Sequence, residues 1–195
     1  QKDLKYILGY SSCSHMGHIL LGLACMTPLA LNGVVFFMFA HGLMAALGFA
    51  LIGFIYDQIH TRQLADWGGF GKKAPFVATL FIMTAMASAG LPGFGNFIGE
   101  VMILMGAWDK FRIPAILAVA GLVVTAGYML KTVRGTMQGP ISAHGAKLFD
   151  AKGFQRLPYL LLIAGLLAVG MVPSLIMPTI ETGTRPILER MSDGR

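Results

Sequence analysis

The sequence predicts an all-α fold, a polytopic transmembrane helix bundle of about five spans with the third broken at Leu91-Pro92-Gly93. Three observations carry this. Hydrophobic residues make up 55% of the chain and charged residues 12%, where soluble domains carry about a quarter charged, and the mean hydropathy is +0.69. Apolar runs long enough to cross ~30 Å of hydrocarbon recur between short polar turns. One of them, Pro75 to Trp108, is interrupted by a proline among glycines and then carries an acid, Glu100.

The first run, about Leu4 to Met26, is polar near its start, and Ser11, His15, His18 and Gly22 share one face at helical spacing. That face must look into a bundle or a hydrated path. After Thr27-Pro28-Leu29, a second span runs from about Ala30 to Ile55 with His41 at its centre and Ala45, Ala46 and Gly48 as small residues that permit close packing. A polar loop, Tyr56 to Lys73, precedes the third span. Unbroken, that span would run about 50 Å at ~1.5 Å per residue. A proline removes one backbone donor and clashes with the carbonyl four residues back, so the helix should break between Ser88 and Gly93, at Pro92 and Gly93. Pro114 opens the fourth span, which ends between Tyr128 and Met137, and an irregular loop follows from Gln138 to Arg156. The fifth span is expected over Leu157 to Met177, followed by an exposed tail of mixed charge. Residues 1–195 read as a single membrane domain.

The net charge of +6 does not indicate nucleic acid, because Lys and Arg cluster between the apolar runs, as juxtamembrane residues do. Five spans put Lys2, Lys5, Arg62, Lys72, Lys73, Lys131, Arg134, Lys147, Lys152 and Arg156 on one side. Lys110, Arg112, Arg185, Arg190 and Arg195 fall on the other. The bias places the first side in the cytoplasm and the C-terminus outside. Cys13 and Cys25 suggest neither a disulfide framework nor a metal site. No phosphate loop, haem motif or nucleophile elbow is found, so no cofactor is expected on this chain. The chain begins at Gln1 without a charged leader, and is expected to be an internal or C-terminal piece of something longer.

Glu100 is the foremost functional candidate, since a carboxylate inside a span is rare and costly and commonly marks an ion or proton pathway. The competing reading is an acid in a fixed ion pair. His15 and His41 suit a relay because histidine changes charge near neutral pH with little perturbation, although a lone buried histidine is more often a satisfied core residue. His18 is a secondary candidate that can instead bond Ser14 one turn back. Lys131 can end a pathway or snorkel to the interface, and Tyr128 can be an interfacial anchor. His60 and His144 fall in loops.

The stretch Asp3-Leu4-Lys5-Tyr6-Ile7-Leu8-Gly9-Tyr10-Ser11-Ser12-Cys13-Ser14-His15-Met16-Gly17 resembles the DLKR-x-x-AYSSISHMG stretch of the antiporter-like subunits of respiratory complex I. Ala40-His41-Gly42-Leu43, Tyr56-Asp57-Gln58-Ile59-His60-Thr61-Arg62 and Leu91-Pro92-Gly93-Phe94-Gly95-Asn96-Phe97-Ile98-Gly99-Glu100 match in the same order, and the resemblance runs from Asp3 to about Gly139. It implies that these are the last five of fourteen helices. His15 and His41 take the positions of relay histidines, and Glu100 that of the terminal proton carrier on a broken helix. An acid rather than a lysine at position 100 points to the M, or chain 4, branch of the family. The implied topology agrees with the charge count. His18 stands where the family commonly has an apolar residue, and Lys131 where many relatives have His or Gln. The family's glutamate–lysine pair and central lysine would lie upstream of Gln1.

The resemblance implies a non-redox, proton-translocating subunit of NADH:quinone oxidoreductase in a multi-pass membrane setting, most simply the bacterial inner membrane. NADH, FMN, iron–sulfur clusters and quinone would be held elsewhere in the complex. Expected partners are other complex I membrane subunits, the lipid bilayer and protons. The alternatives are a subunit of a Mrp-type cation/proton antiporter or of a membrane-bound hydrogenase, and a purely structural bundle.

Overall fold

Seven α-helices account for most of the described residues, and most of the connections between them gather at two opposite ends. The computed structural model describes residues 1–193. Arg195 and the side chain of Lys147, both counted in the charge balance, lie outside the described residues.

Helix α1, Leu4–Cys25, starts where Asp3 Oδ1 accepts the free amides of Lys5 (2.8 Å) and Tyr6 (3.4 Å). It stops at Met26, which is left-handed, and Thr27 Oγ1 then caps α2 by accepting from Ala30 N at 3.2 Å. Helix α2, Pro28–Ile59, has 32 residues, about 48 Å at ~1.5 Å per residue. It outruns the expected Ile55 by a turn, whose Gln58 Oε1 accepts from Phe149 N at 2.9 Å. The loop that follows is not simply solvated. Trp67 and Phe70 are buried beneath it, and the indole donates to Thr61 O at 3.0 Å.

The interrupted span divides into α3, Pro75–Ser88, and α4, Gly95–Ala107, within a residue or two of the expected break. At 14 and 13 residues, neither half alone reaches across ~30 Å. The first amides of α3 find no cap in their own sequence. Asp150 supplies it from 74 residues away, its oxygens accepting from Phe76 N (2.9 Å) and Val77 N (3.2 Å). Helix α5, Arg112–Met137, begins two residues before Pro114, which is tolerated in a first turn where the amide has no partner to lose.

Helix α6, Leu157–Met171, is shorter than the expected Leu157–Met177 span, because Pro173 ends it. The tail is not a simple exposed strand of chain. It forms helix α7, Met177–Asp193, which lays Ile180 and Thr184 against α2, with Thr184 Oγ1 donating to Asn32 Oδ1 at 2.5 Å.

Helix α2 is the spine and α4 lies directly along it. A methyl group added at Gly99 would sit 2.5 Å from Phe37 Cβ, and one at Gly106 would sit 2.7 Å from Ala30 Cβ. Close packing was expected at Ala45, Ala46 and Gly48. Only Gly48 does this, beside Leu8 and Thr84, whereas Ala46 faces outward and Ala45 is half-buried.

Hydrogen bonds tie the turns into two sets. Lys110 Nζ donates to Cys25 O (2.9 Å) and Thr27 Oγ1 to Gly106 O (3.2 Å) at one end. Leu4 N reaches Arg62 O (3.0 Å), Leu64 N reaches Lys2 O (2.7 Å), and Ser142 Oγ bonds Asp66 O at the other. Three helical stretches, Pro28–Ile59, Arg112–Met137 and Gly153–Met171, are each long and apolar enough to cross a membrane. The outward face of α5 is apolar, Ile113 being 72% exposed, which suits a hydrocarbon solvent.

Candidate proton-relay site

The site is assembled at the break. Helix α3 closes with a left-handed Gly90 (φ +70°), Gly90 N bonding Ala87 O and Leu91 N bonding Met86 O, each at 3.2 Å. This is the double-bonded glycine cap that satisfies two of the last carbonyls of a helix. Chain direction then changes through Pro92 and Gly93 (φ +102°), and α4 restarts at Gly95. Helix α6 crosses directly over this point. A methyl group at Gly170 would sit 2.5 Å from Gly93 O and 2.6 Å from Gly95 N.

Glu100 stands in the second turn of α4, 1% exposed. Its carboxylate lies against Gly90, where any Cβ would overlap Oε2. On its other side is His15 of α1, fully buried, with Nε2 3.7 Å from Glu100 Oε1 and 3.1 Å from Ser88 O. The His41 ring, from α2, meets the His15 ring edge-on at 4.9 Å between centroids. Two consecutive helices, α1 and α2, and the distant α4 thus bring Glu100, His15 and His41 into one buried cluster.

The secondary candidates sit apart from it. His18 is buried with Nδ1 3.2 Å from Ser14 O and Nε2 3.3 Å from Ala118 O, so it stitches α1 to α5. Tyr128 and Lys131 of α5 line an open recess of about 440 Å³ with Ile7, Tyr10, Leu64 and Thr132. None of His15, His41 or Glu100 belongs to its wall. His60 is exposed at the end of α2, and exposed His144 lies 4.0 Å from Asp66. Cys13 and Cys25 are free thiols.

Three participants were not singled out from sequence. Phe37 presents its ring to His15 (5.5 Å), His41 (6.1 Å) and His18 (6.5 Å), walling the cluster on the α2 side. The Ser88 hydroxyl shares a buried hydrogen bond of 2.7 Å with Ser11, already placed on the His15 face. Asn96, fully buried one turn before Glu100, has neither amide atom bonded among the described residues. Its i−4 spacing from Glu100 was the available signal. His15 Nδ1, His41 Nδ1 and Glu100 Oε1 are likewise buried without a hydrogen-bond partner among the described residues. Leaving one buried polar group unsatisfied costs ~1–3 kcal/mol.

A family described as NADH:quinone oxidoreductase/Mrp antiporter, TM, matches residues 1–126. Among curated relatives, the NADH-quinone oxidoreductase subunit M of Rickettsia typhi is 33% identical over 189 residues, covering 96% of this chain and 38% of that protein. This similarity continues past Gly139, where the sequence resemblance ended. Among solved structures, a chain of respiratory complex I from Thermus thermophilus with bound NADH aligns with TM-score 0.86 and 29% identity, covering 93% of this chain and 39% of that one. A chain of the Mrp complex from Dietzia sp. aligns with TM-score 0.82 and 25% identity, covering 93% and 42%. The chain spans well under half the length of the relatives it matches.

Proposed function

Given that the chain belongs to the NADH:quinone oxidoreductase/Mrp antiporter transmembrane family, we propose that it carries the later half of a proton path in an M-type membrane subunit of NADH:quinone oxidoreductase. One observation carries the reading. A fully buried carboxylate lies 3.7 Å from a buried histidine whose ring is 4.9 Å from a second, and each of the three groups keeps an unpartnered polar atom among the described residues. A side chain that can accept and donate a proton at each of three adjoining positions is what a relay requires.

In this reading His41 and His15 pass protons to Glu100, which releases them toward the non-cytoplasmic side. The subunit is non-redox. NADH, FMN, iron–sulfur clusters and quinone belong to other subunits, and quinone reduction there drives transport. Lipid and neighbouring membrane subunits surround the bundle, in the bacterial inner membrane. Replacing Glu100→Gln in the full-length subunit within its complex should reduce proton translocation per NADH oxidised while assembly persists. An unchanged proton-to-electron ratio rejects the proposal.

The likeness to the Mrp complex supports a second reading, a cation/proton antiporter subunit. The acid at position 100, where the antiporter branch resembles this chain but carries lysine, weighs against it. Sodium-dependent proton release from inverted vesicles without NADH would favour the antiporter.

A further inference from the structure

We infer that the backbone carbonyl of Ser88, left without a backbone donor where α3 ends, sets the tautomer of His15 and so fixes which ring nitrogen receives a proton, an inference that rests on the proton-relay reading. In a continuous helix the carbonyl of residue 88 would accept from the amide of residue 92. Residue 92 is proline and has no N–H. The glycine cap accounts for the carbonyls of Met86 and Ala87 but not for that of Ser88. Its partner is instead His15 Nε2, at 3.1 Å from 73 residues away.

A carbonyl oxygen only accepts, so Nε2 must carry the proton. Nδ1 is then the ring's one basic atom, and it is buried without a partner among the described residues. Ser11, one helical turn before His15, donates to or accepts from the Ser88 hydroxyl at 2.7 Å and holds α1 in register with the end of α3. Ser88 and Pro92 are therefore positioning residues. They act on protons only through His15.

The consequence is an ordered transfer. A proton arriving from the His41 side can bind only at Nδ1, producing an imidazolium. The Nε2 proton, already poised 3.7 Å from Glu100 Oε1, then passes to the carboxylate. One proton enters and one leaves, and His15 is neutral again with its proton on Nδ1. Water reaching the ring completes the cycle by taking the Nδ1 proton and returning one to Nε2, and the Ser88 carbonyl favours the Nε2–H form that results.

The test uses the full-length subunit in lipid bilayers, with ¹³C- and ¹⁵N-labelled histidine, and solid-state NMR to separate the two neutral tautomers. The His15 signals are assigned by difference against His15→Gln. The expected wild-type result is a neutral His15 protonated at Nε2, and finding the Nδ1–H form overturns the inference without any variant. Pro92→Ala supplies the N–H that a helix extended through Gly90 would offer to the Ser88 carbonyl. It should turn His15 into a mixture of tautomers and slow coupled translocation in the assembled complex about tenfold or more, within reach of the ~10²–10⁴ attributed to a positioned proton-transfer group. A slowed Pro92→Ala variant with an unchanged tautomer overturns the inference and leaves the relay standing. An altered tautomer with undiminished translocation overturns both.

Discussion

Gly90 and Gly93 flank the same proline, yet their environments differ enough to separate strain from function. Both have positive φ, +70° and +102°. A side chain at Gly90 would also drive into the Glu100 carboxylate, whereas one at Gly93 meets nothing within 4 Å. The left-handed penalty of roughly 1–2 kcal/mol applies to either substitution. Gly93→Ala should therefore lower thermal stability of the assembled subunit while retaining translocation. Gly90→Ala should lower both, because the carboxylate must move away from His15. Equal loss of translocation in the two variants would mean that Glu100 does not depend on its seat against Gly90. At this scale the buried acid and the two histidines beside it were legible as candidates, because an ionisable group within an apolar run stands out by its cost. Phe37 and Ser88 were not, since an apolar ring and a backbone carbonyl carry no such mark.

At the scale of elements, the break was readable because proline acts on the backbone within its own turn. The cap of α3 was not readable, because Asp150 lies in another connection. Asp150→Ala removes both acceptors from Phe76 N and Val77 N, and the loss of a cap typically costs ~0.5–2 kcal/mol. The expected result is a lowered unfolding midpoint and faster proteolysis of the 138–156 segment, with translocation per NADH unchanged in the protein that assembles. Helix α7 was missed for a related reason. Gly183, Pro186 and three threonines, Thr179, Thr182 and Thr184, argue against a helix locally. Burial of Ile180 and the Thr184–Asn32 bond against α2 override that preference.

For the whole molecule, the two sets of turns at opposite ends match five crossings in which α3 and α4 together complete one. The proposed orientation is checked in the full-length protein with Cys13 and Cys25 replaced. Ala143→Cys, in the exposed loop after α5, should react with an impermeant maleimide from the cytoplasmic side. Asp109→Cys, in the exposed turn between α4 and α5, should react from the opposite side. The reverse labelling pattern would invert the proposed path from cytoplasm to exterior.

Composition, periodicity and single-residue chemistry were enough to specify the solvent, the number of apolar runs, the position of the break and the three groups able to hold a proton. Each of these acts over a few residues, so each is written locally in the chain. Tertiary packing alone decided that the three groups meet, that α4 lies against α2 through Gly99 and Gly106, and that Ser88 offers its carbonyl to His15. Helix-on-helix packing brings His15 beside His41, 26 positions away, and beside Glu100, 85 positions away. No local pattern encodes which faces will touch, because one apolar helix face fits another on grounds of shape, and shape exists only once the bundle has formed.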